Sequence, residues 1–156
     1  MRRNLFTGIG LAALAVVLST GLIACNTEAV ASQVYDINGV WEFELTPTTL
    51  SGACIAETDV SIQTITITQV PAGEQGSNVD VTMRGFLGEP GNVLTGGYSG
   101  DVTASGSYPE DGGTTTTSYT LTPITADQMT GTESWSFVNG ASTCPDNVTR
   151  VVATRQ

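Results

Sequence analysis

The sequence predicts an all-β domain, an eight-stranded antiparallel up-and-down β-barrel that follows a cleaved signal peptide. From residue 38 onward the chain is rich in Thr, Val, Ile and Gly, and its short runs alternate between apolar and polar residues. Gly, Pro, Asn and Asp separate these runs, and no window carries an apolar stripe at the helical period. Eight consecutive strands can close on themselves, which removes the exposed edges of an open sheet.

The first residues have the layout of an export signal. Residues 1–4 include two arginines, and residues 5–24 contain no charged residue and are mostly Leu, Ala, Val and Ile. The same stretch is also long enough to span a bilayer as an uncleaved helix. The choice between a cleaved signal and a permanent span therefore depends on the residues at the end of the stretch.

The stretch ends in a segment that resembles the bacterial lipobox, Leu22-Ile23-Ala24-Cys25. A lipobox has an apolar residue, two tolerated residues ending in a small one, and then cysteine. The resemblance implies a signal peptide over residues 1–24, cleavage before Cys25, and a diacylglycerol on its thiol. Each acyl methylene that enters the membrane contributes about 0.8 kcal/mol to anchoring. The protein's expected partner is thus a membrane, contacted through the lipid on Cys25.

The residues after the lipobox predict an address and a tether. Residue 26 is Asn, whereas the retention signal known from enteric bacteria has Asp there, so the resemblance points to the outer membrane. We expect a cell-envelope location on the periplasmic or surface face. Residues 25–37 are small and polar with little periodicity, which predicts a lipid-anchored tether, and residues 38–156 are left for the barrel.

The domain is strongly acidic. All 15 acidic residues follow the signal peptide, and removal of Arg2 and Arg3 lowers the formal net charge from −10 to −12. Only Arg84, Arg150 and Arg155 oppose this charge, and the chain has no Lys or His. Such a surface repels nucleic acid and anionic lipid headgroups, so we expect no nucleic-acid partner. Solubility or a saline habitat explains the charge, as does a cationic partner or divalent cations.

The alternation predicts eight strands. They cover about residues 40–46, 60–70, 78–87, 92–99, 101–108, 114–122, 128–138 and 147–155. In the second strand, Val60 and Ile62 stand in the opposite parity to Ile65 and Ile67, and we expect a bulge near Gln63 to reconcile them. The Thr run at residues 114–117 is predicted to be strand with a solvated face.

Two cysteines remain after the lipid is assigned. In an exported chain, Cys54 and Cys144 are expected to form a disulfide; a metal pair is the alternative, but the chain has no His to complete a site. In an up-and-down barrel the loops after strands one and seven open at the same end, and each predicted loop contains one of these cysteines. The bridge would close about 90 residues and contribute on the order of 4 to 5 kcal/mol. We expect this end to be the mouth, with residues 46–59 as its lid or rim.

The start of the first strand, Asn38-Gly39-Val40-Trp41, resembles the signature of the calycin superfamily, which includes lipocalins, fatty-acid-binding proteins and avidins. In that family a G-x-W opens strand one, and a basic residue of the last strand packs across the indole and closes the barrel. The resemblance implies that Gly39, Trp41 and Arg155 close the end opposite the mouth, with Arg150 as the other candidate. The resemblance also implies that the barrel binds a ligand, but it does not identify the ligand.

A candidate ligand-binding set lies in the later strands. Glu133 shares strand parity with Trp135 and Phe137, so it points inward unless a bulge turns it to water. An inward carboxylate would pair with Arg84 or Arg150, or receive a polar group of a ligand. Tyr119, which alternates with polar residues in the sixth strand, completes the set.

The sequence lacks the usual parts of a catalytic site. It has no His for general base work, no G-x-S-x-G elbow, no P-loop and no paired-carboxylate motif, so we expect no enzyme, no cofactor and no metal. Two functions remain. One is a lipocalin-like barrel that binds a small apolar or amphipathic ligand; the other is a protein-interaction, inhibitor or scaffold module of the cell envelope whose barrel is filled by its own side chains. The oligomeric state is left open.

Overall fold

A computed structural model describes residues 33–54, 58–140 and 142–156. In these residues eight β-strands form a closed barrel in which every strand pairs antiparallel with its neighbours in the chain, and the last pairs with the first. The strands are β1 Gly39–Thr49, β2 Ser61–Val70, β3 Gly76–Arg84, β4 Val93–Ser99, β5 Asp101–Glu110, β6 Gly113–Thr125, β7 Gln128–Asn139 and β8 Ser142–Arg155. The predicted fold class is confirmed. The predicted signal peptide and Cys25 lie outside the described residues.

The barrel interior is built by strict alternation along the strands. In β1 the side chains of Trp41, Phe43 and Leu45 are buried, whereas those of Glu42 and Glu44 face solvent. Because successive side chains of a strand point to opposite faces, this pattern gives the strand one face toward the interior and one toward solvent. Short 3-10 turns at Gly52–Cys54 and Phe86–Gly88 interrupt the connections after β1 and β3, and no helix within the described ranges is long and apolar enough to cross a membrane.

Several strand boundaries differ from the sequence-based prediction, and two of the differences have a visible backbone cause. Strand β3 ends at Arg84 instead of residue 87, because Gly85 (φ 100°) and Leu87 (φ 57°) take left-handed conformations that end the strand. Strand β8 begins at Ser142 instead of residue 147, so Cys144 lies in a strand and not in a loop. Its register against β7 shifts by one residue near Asp146, which marks a β-bulge there.

The bulge predicted near Gln63 is wrong. The pairing of β1 with β2 runs without a shift from Gly39 opposite Ile67 to Leu45 opposite Ser61. Ile62 therefore points outward and is 66% exposed, and Val60, which precedes the strand, is 55% exposed. Isolated apolar side chains are common on protein surfaces, so these two can remain exposed and the strand needs no bulge to bury them.

The segment before β1 packs against one end of the barrel. Ile37 is buried, its N–H donates to Gln69 Oε1 (3.1 Å), and its carbonyl accepts from Trp41 Nε1 (2.9 Å). The Tyr35 N–H donates to the Tyr98 hydroxyl (3.3 Å). Residues 33–37, which the sequence assigns to the tether, thus help to cover the barrel end; residues 25–32 lie outside the described part.

Arg155 completes the closure of this end. Its guanidinium carbon lies 4.8 Å from the centre of the Trp41 ring, the contact that the G-x-W resemblance implies. The same guanidinium donates to the carbonyls of Asp36, Asn38 and Ala126, so it links the entering chain to the β6–β7 turn. Arg150 is exposed and plays no part in this closure.

Candidate functional site

The opposite end of the barrel holds a cavity of about 780 Å³. It is reached between the β1–β2, β3–β4 and β5–β6 connections, at the end where Cys54 and Cys144 are joined. The predicted disulfide is present, with the two Cα atoms 5.5 Å apart. Ser51 adds a second link, because its N–H donates to Asn147 Oδ1 of β8 (2.7 Å). The described part of the segment predicted as a lid is therefore held as a fixed rim.

The cavity exists because the side chains that point into the barrel are large in the closed half, around Trp41, and smaller in the open half, around Glu133. The closed half is filled by large apolar side chains, among them Trp41, Ile67 and Tyr98. The inward positions of β6 in the open half are Thr115 and Thr117, which are too small to meet the facing wall. The walls that remain are of three kinds. Aromatic ones are Tyr108, Trp135 and Phe137; aliphatic ones include Leu45, Pro47 and Leu87; polar ones include Asp59, Ser61, Gln63, Glu110, Asp111, Thr115, Glu133 and Thr149.

Glu133 lies at the inner part of this wall and is 6% exposed. Its Oε1 accepts hydrogen bonds from the hydroxyls of Tyr119 (2.7 Å) and Thr117 (2.9 Å). Burial raises the pKa of Glu133 because the charged form loses its water; hydrogen bonds from Tyr119, Thr117 and Thr149 oppose this shift, and the charge of Glu110 adds to it. The side chain is thus a carboxyl group held by neutral donors.

The two tyrosines near Glu133 remain hydroxyl donors. Burial and the neighbouring carboxylate raise the pKa of Tyr119 and of Tyr108 well above the usual range. Tyr119 packs edge-on against Phe43, with ring centres 5.9 Å apart, and lies 5.4 Å from the Phe86 ring. Its position is therefore fixed by packing, and its hydroxyl fixes Glu133 in turn.

Of the two alternatives for an inward Glu133, the ion pair with Arg84 or Arg150 is wrong. Arg84 and Arg150 stand at outward positions of β3 and β8, and both are exposed. Over the described ranges, the salt bridge present joins Arg155 to Asp127 at the other end of the barrel (3.3 Å). The parity of each strand explains the outcome, since an outward residue cannot reach a carboxylate inside the barrel.

Three of the four predicted ligand-binding residues line the cavity, namely Glu133, Trp135 and Phe137. Tyr119 is buried behind Glu133 and reaches the cavity through its hydrogen bond. Sequence reasoning missed Tyr108, Glu110, Thr115, Thr117 and Thr149. The Thr run of β6 is a strand with one solvated face, as predicted, and its other two threonines, Thr115 and Thr117, share parity with Tyr119, the signal that places them inside.

No known protein family, curated protein or solved structure matches the chain. Fold and site nevertheless define a class: a closed eight-stranded antiparallel barrel with one end sealed by Trp41 and Arg155 and an open cavity at the other. In this class the chemistry of the cavity wall decides what can bind.

Proposed function

We propose that this chain is a membrane-anchored lipoprotein of the cell envelope whose calycin-like, lipocalin-type barrel binds a small apolar or amphipathic ligand. The observation that carries the proposal is the cavity of about 780 Å³, which falls within the range of about 300 to 1,000 Å³ typical of small-molecule sites. Aromatic and aliphatic side chains line it together with a few polar groups, which is the composition such sites usually have.

The competing function is a protein-interaction or scaffold module with a filled barrel. Such a barrel would have a sealed and packed interior along its whole length. Only the half around Trp41 is packed in that way, whereas the half around Glu133 and Trp135 borders open space. The cavity therefore favours ligand binding over the filled-barrel alternative.

The lipid anchor is supported by the lipobox segment that ends in Cys25. Among the described residues, the chain enters the barrel at the sealed end through Ile37.

Ligand binding is tested on a chain of residues 26–156 exported without a lipid. Residues 33–156 supply the described core, the sealed end and the disulfide, so this chain retains the barrel. We expect the purified protein to carry, or to bind on addition, a small amphipathic molecule, identified by mass spectrometry after solvent extraction. Trp135→Ala should weaken binding, whereas Val138→Ala, an outward change on the same strand, should not. Failure of apolar and amphipathic probes alike to bind would overturn the function.

The anchor is tested on the full chain by metabolic labelling with a fatty-acid analogue. We expect Cys25→Ala to abolish the label and to leave an unprocessed precursor, because the lipobox requires that thiol. Normal labelling of the variant would overturn the anchor, and Cys54→Ala serves as the matched control that should label normally.

A further inference from the structure

The charges that face the cavity all have one sign. Among the described residues, four carboxylates line it: Asp59, Glu110, Asp111 and Glu133. No basic side chain of the described ranges is part of the wall, because Arg84 and Arg150 are exposed on the outer face and Arg155 lies at the sealed end. A carboxylate-bearing or phosphate-bearing ligand would meet only repulsion there.

Glu133 adds a buried acidic group whose described neighbours include no counter-charge. It is 6% exposed, and its hydrogen-bond donors are the neutral hydroxyls of Thr117 and Tyr119. An ionised carboxylate at such a depth is unfavourable unless a cation pairs with it, since hydroxyls only partly replace the lost water. A cationic group of a ligand would therefore balance a charge that the wall itself leaves unbalanced.

The remaining wall fits an organic cation better than a metal ion. Tyr108, Trp135 and Phe137 present aromatic rings to the cavity, and the faces of such rings attract ammonium groups. Leu45 and Leu87 offer apolar surface to the rest of a molecule. Within residues 33–54, 58–140 and 142–156, no three His, Cys, Asp or Glu side chains approach closely enough to hold a metal ion.

We propose that the ligand of this cavity is an organic cation, an amphiphile whose protonated amine or quaternary ammonium group binds beside Glu133 and whose apolar part lies against the aromatic wall. This assignment rests on the proposed ligand-binding function and names the chemical class of ligand. The acidic rim residues Asp59, Glu110 and Asp111 attract the cation to the mouth, and Glu133 pairs with it inside.

Binding of such a cation depends on pH in a defined direction. The cation favours the ionised form of Glu133, so affinity decreases as the carboxyl is protonated on acidification, and binding at lower pH releases a proton. Among the described residues, the other titratable groups near Glu133 are Tyr108 and Tyr119, which stay protonated, and Glu110 at the end of β5, whose charge adds to the attraction.

The test compares three probes of equal chain length on the 26–156 protein by calorimetry: octyltrimethylammonium, 1-octanol and octanoate. We expect the ammonium probe to bind most tightly and Glu133→Gln to weaken it about tenfold or more, because the variant removes the buried charge and keeps the shape. The same variant should leave 1-octanol binding unchanged. Glu42→Gln, which removes one charge from the outer face of β1, is the matched control and should change affinity for the ammonium probe little.

The outcomes separate this inference from the proposed function. Equal or tighter binding of 1-octanol or octanoate overturns the cationic class and leaves ligand binding intact. Absence of binding by all three probes overturns both. If Glu133→Gln reduces affinity for 1-octanol as well, its effect is structural and the pairing with the cation is overturned. Proton release, measured from the heat of binding in buffers of different ionisation enthalpy, should appear at acidic pH in the parent protein and not in Glu133→Gln.

Discussion

Arg155 and Arg150 lie on the same strand at positions of opposite parity, and the difference decides what each contributes. Arg155 lies over the Trp41 ring and donates to three backbone carbonyls at the sealed end. Arg150 is exposed, without such contacts among the described residues. The ion pair between Arg155 and Asp127 contributes little to stability, because the side chain of Asp127 is 76% exposed.

We expect Arg155→Ala to lower the free energy of unfolding by about 2 kcal/mol, through loss of the cation–π contact and of the hydrogen bonds to three backbone carbonyls. Arg155→Lys should recover only part of this, because an ammonium cannot reach three separate acceptors with the same geometry. Arg150→Ala should change stability by less than about 0.5 kcal/mol. Denaturant unfolding of the three variants measures these differences, and equal effects of the two alanine changes would contradict the role of Arg155.

Glu133 is expected to make stability depend on pH. Since its pKa is raised in the folded barrel, folding is favoured when the carboxyl is protonated. The contribution is fully present below the pKa of the unfolded chain and is lost as pH rises through the higher folded pKa. In the absence of ligand, Glu133→Gln should therefore be at least as stable as the parent at neutral pH. The difference between the two unfolding free energies should shrink on acidification, and a constant difference across pH would contradict this account.

At the scale of the strand, the sequence predicts most of what the structure contains. The alternation of apolar and polar residues predicts all eight strands because each strand has one solvent-exposed face, and turn residues mark most of the strand boundaries. The pattern fails where left-handed residues intervene, at Leu87 and Asp146, because Leu rarely takes that conformation and Asp, although enriched there, takes it at a minority of its positions. The interior site is predicted only in part from the sequence. The inward orientation of Glu133 depends on β7 having no bulge near this residue, and the sequence does not show whether it has one. The hydroxyl neighbours of Glu133 follow from the register of β6 against β7, which a single sequence does not state, whereas parity alone keeps Arg84 and Arg150 outside.

Close pairing of β4 and β5 depends on Gly96. A Cβ atom at this position would lie 1.9 Å from the carbonyl oxygen of Thr103, a distance that requires the two strands to separate. We expect Gly96→Ala to destabilise the barrel by about 2 kcal/mol or more. Gly91→Ala in the preceding connection, where a Cβ would meet nothing within 4 Å, is the control and should be nearly neutral. Thermal unfolding compares them, and equal melting temperatures would show that the strands can separate at no loss.

At the scale of the whole molecule, the barrel is secured between β1 and β8 at both ends. Arg155 holds the sealed end, and the disulfide holds the rim of the cavity. Between them the two strands pair along a continuous ladder from Trp41 opposite Arg155 to Pro47 opposite Thr149. The contacts that close the barrel are thus independent of the cavity interior, which can keep small and polar side chains at its inward positions.

The disulfide should stabilise the barrel without determining its fold. Because the bridge joins residues separated by 90 positions, it restricts the unfolded chain, and its removal is expected to lower the free energy of unfolding by on the order of 4 kcal/mol. The combined change Cys54→Ala and Cys144→Ala should therefore lower the melting temperature. Circular dichroism should still show the β-sheet content of the parent protein, because the hydrogen bonds between β1 and β8 need no covalent link. Reduction of the parent protein is the internal control and should give the same melting temperature as the variant. Two free thiols in the oxidised native protein would contradict the disulfide. Loss of the β-sheet signal on reduction would contradict the claim that the fold forms without the disulfide.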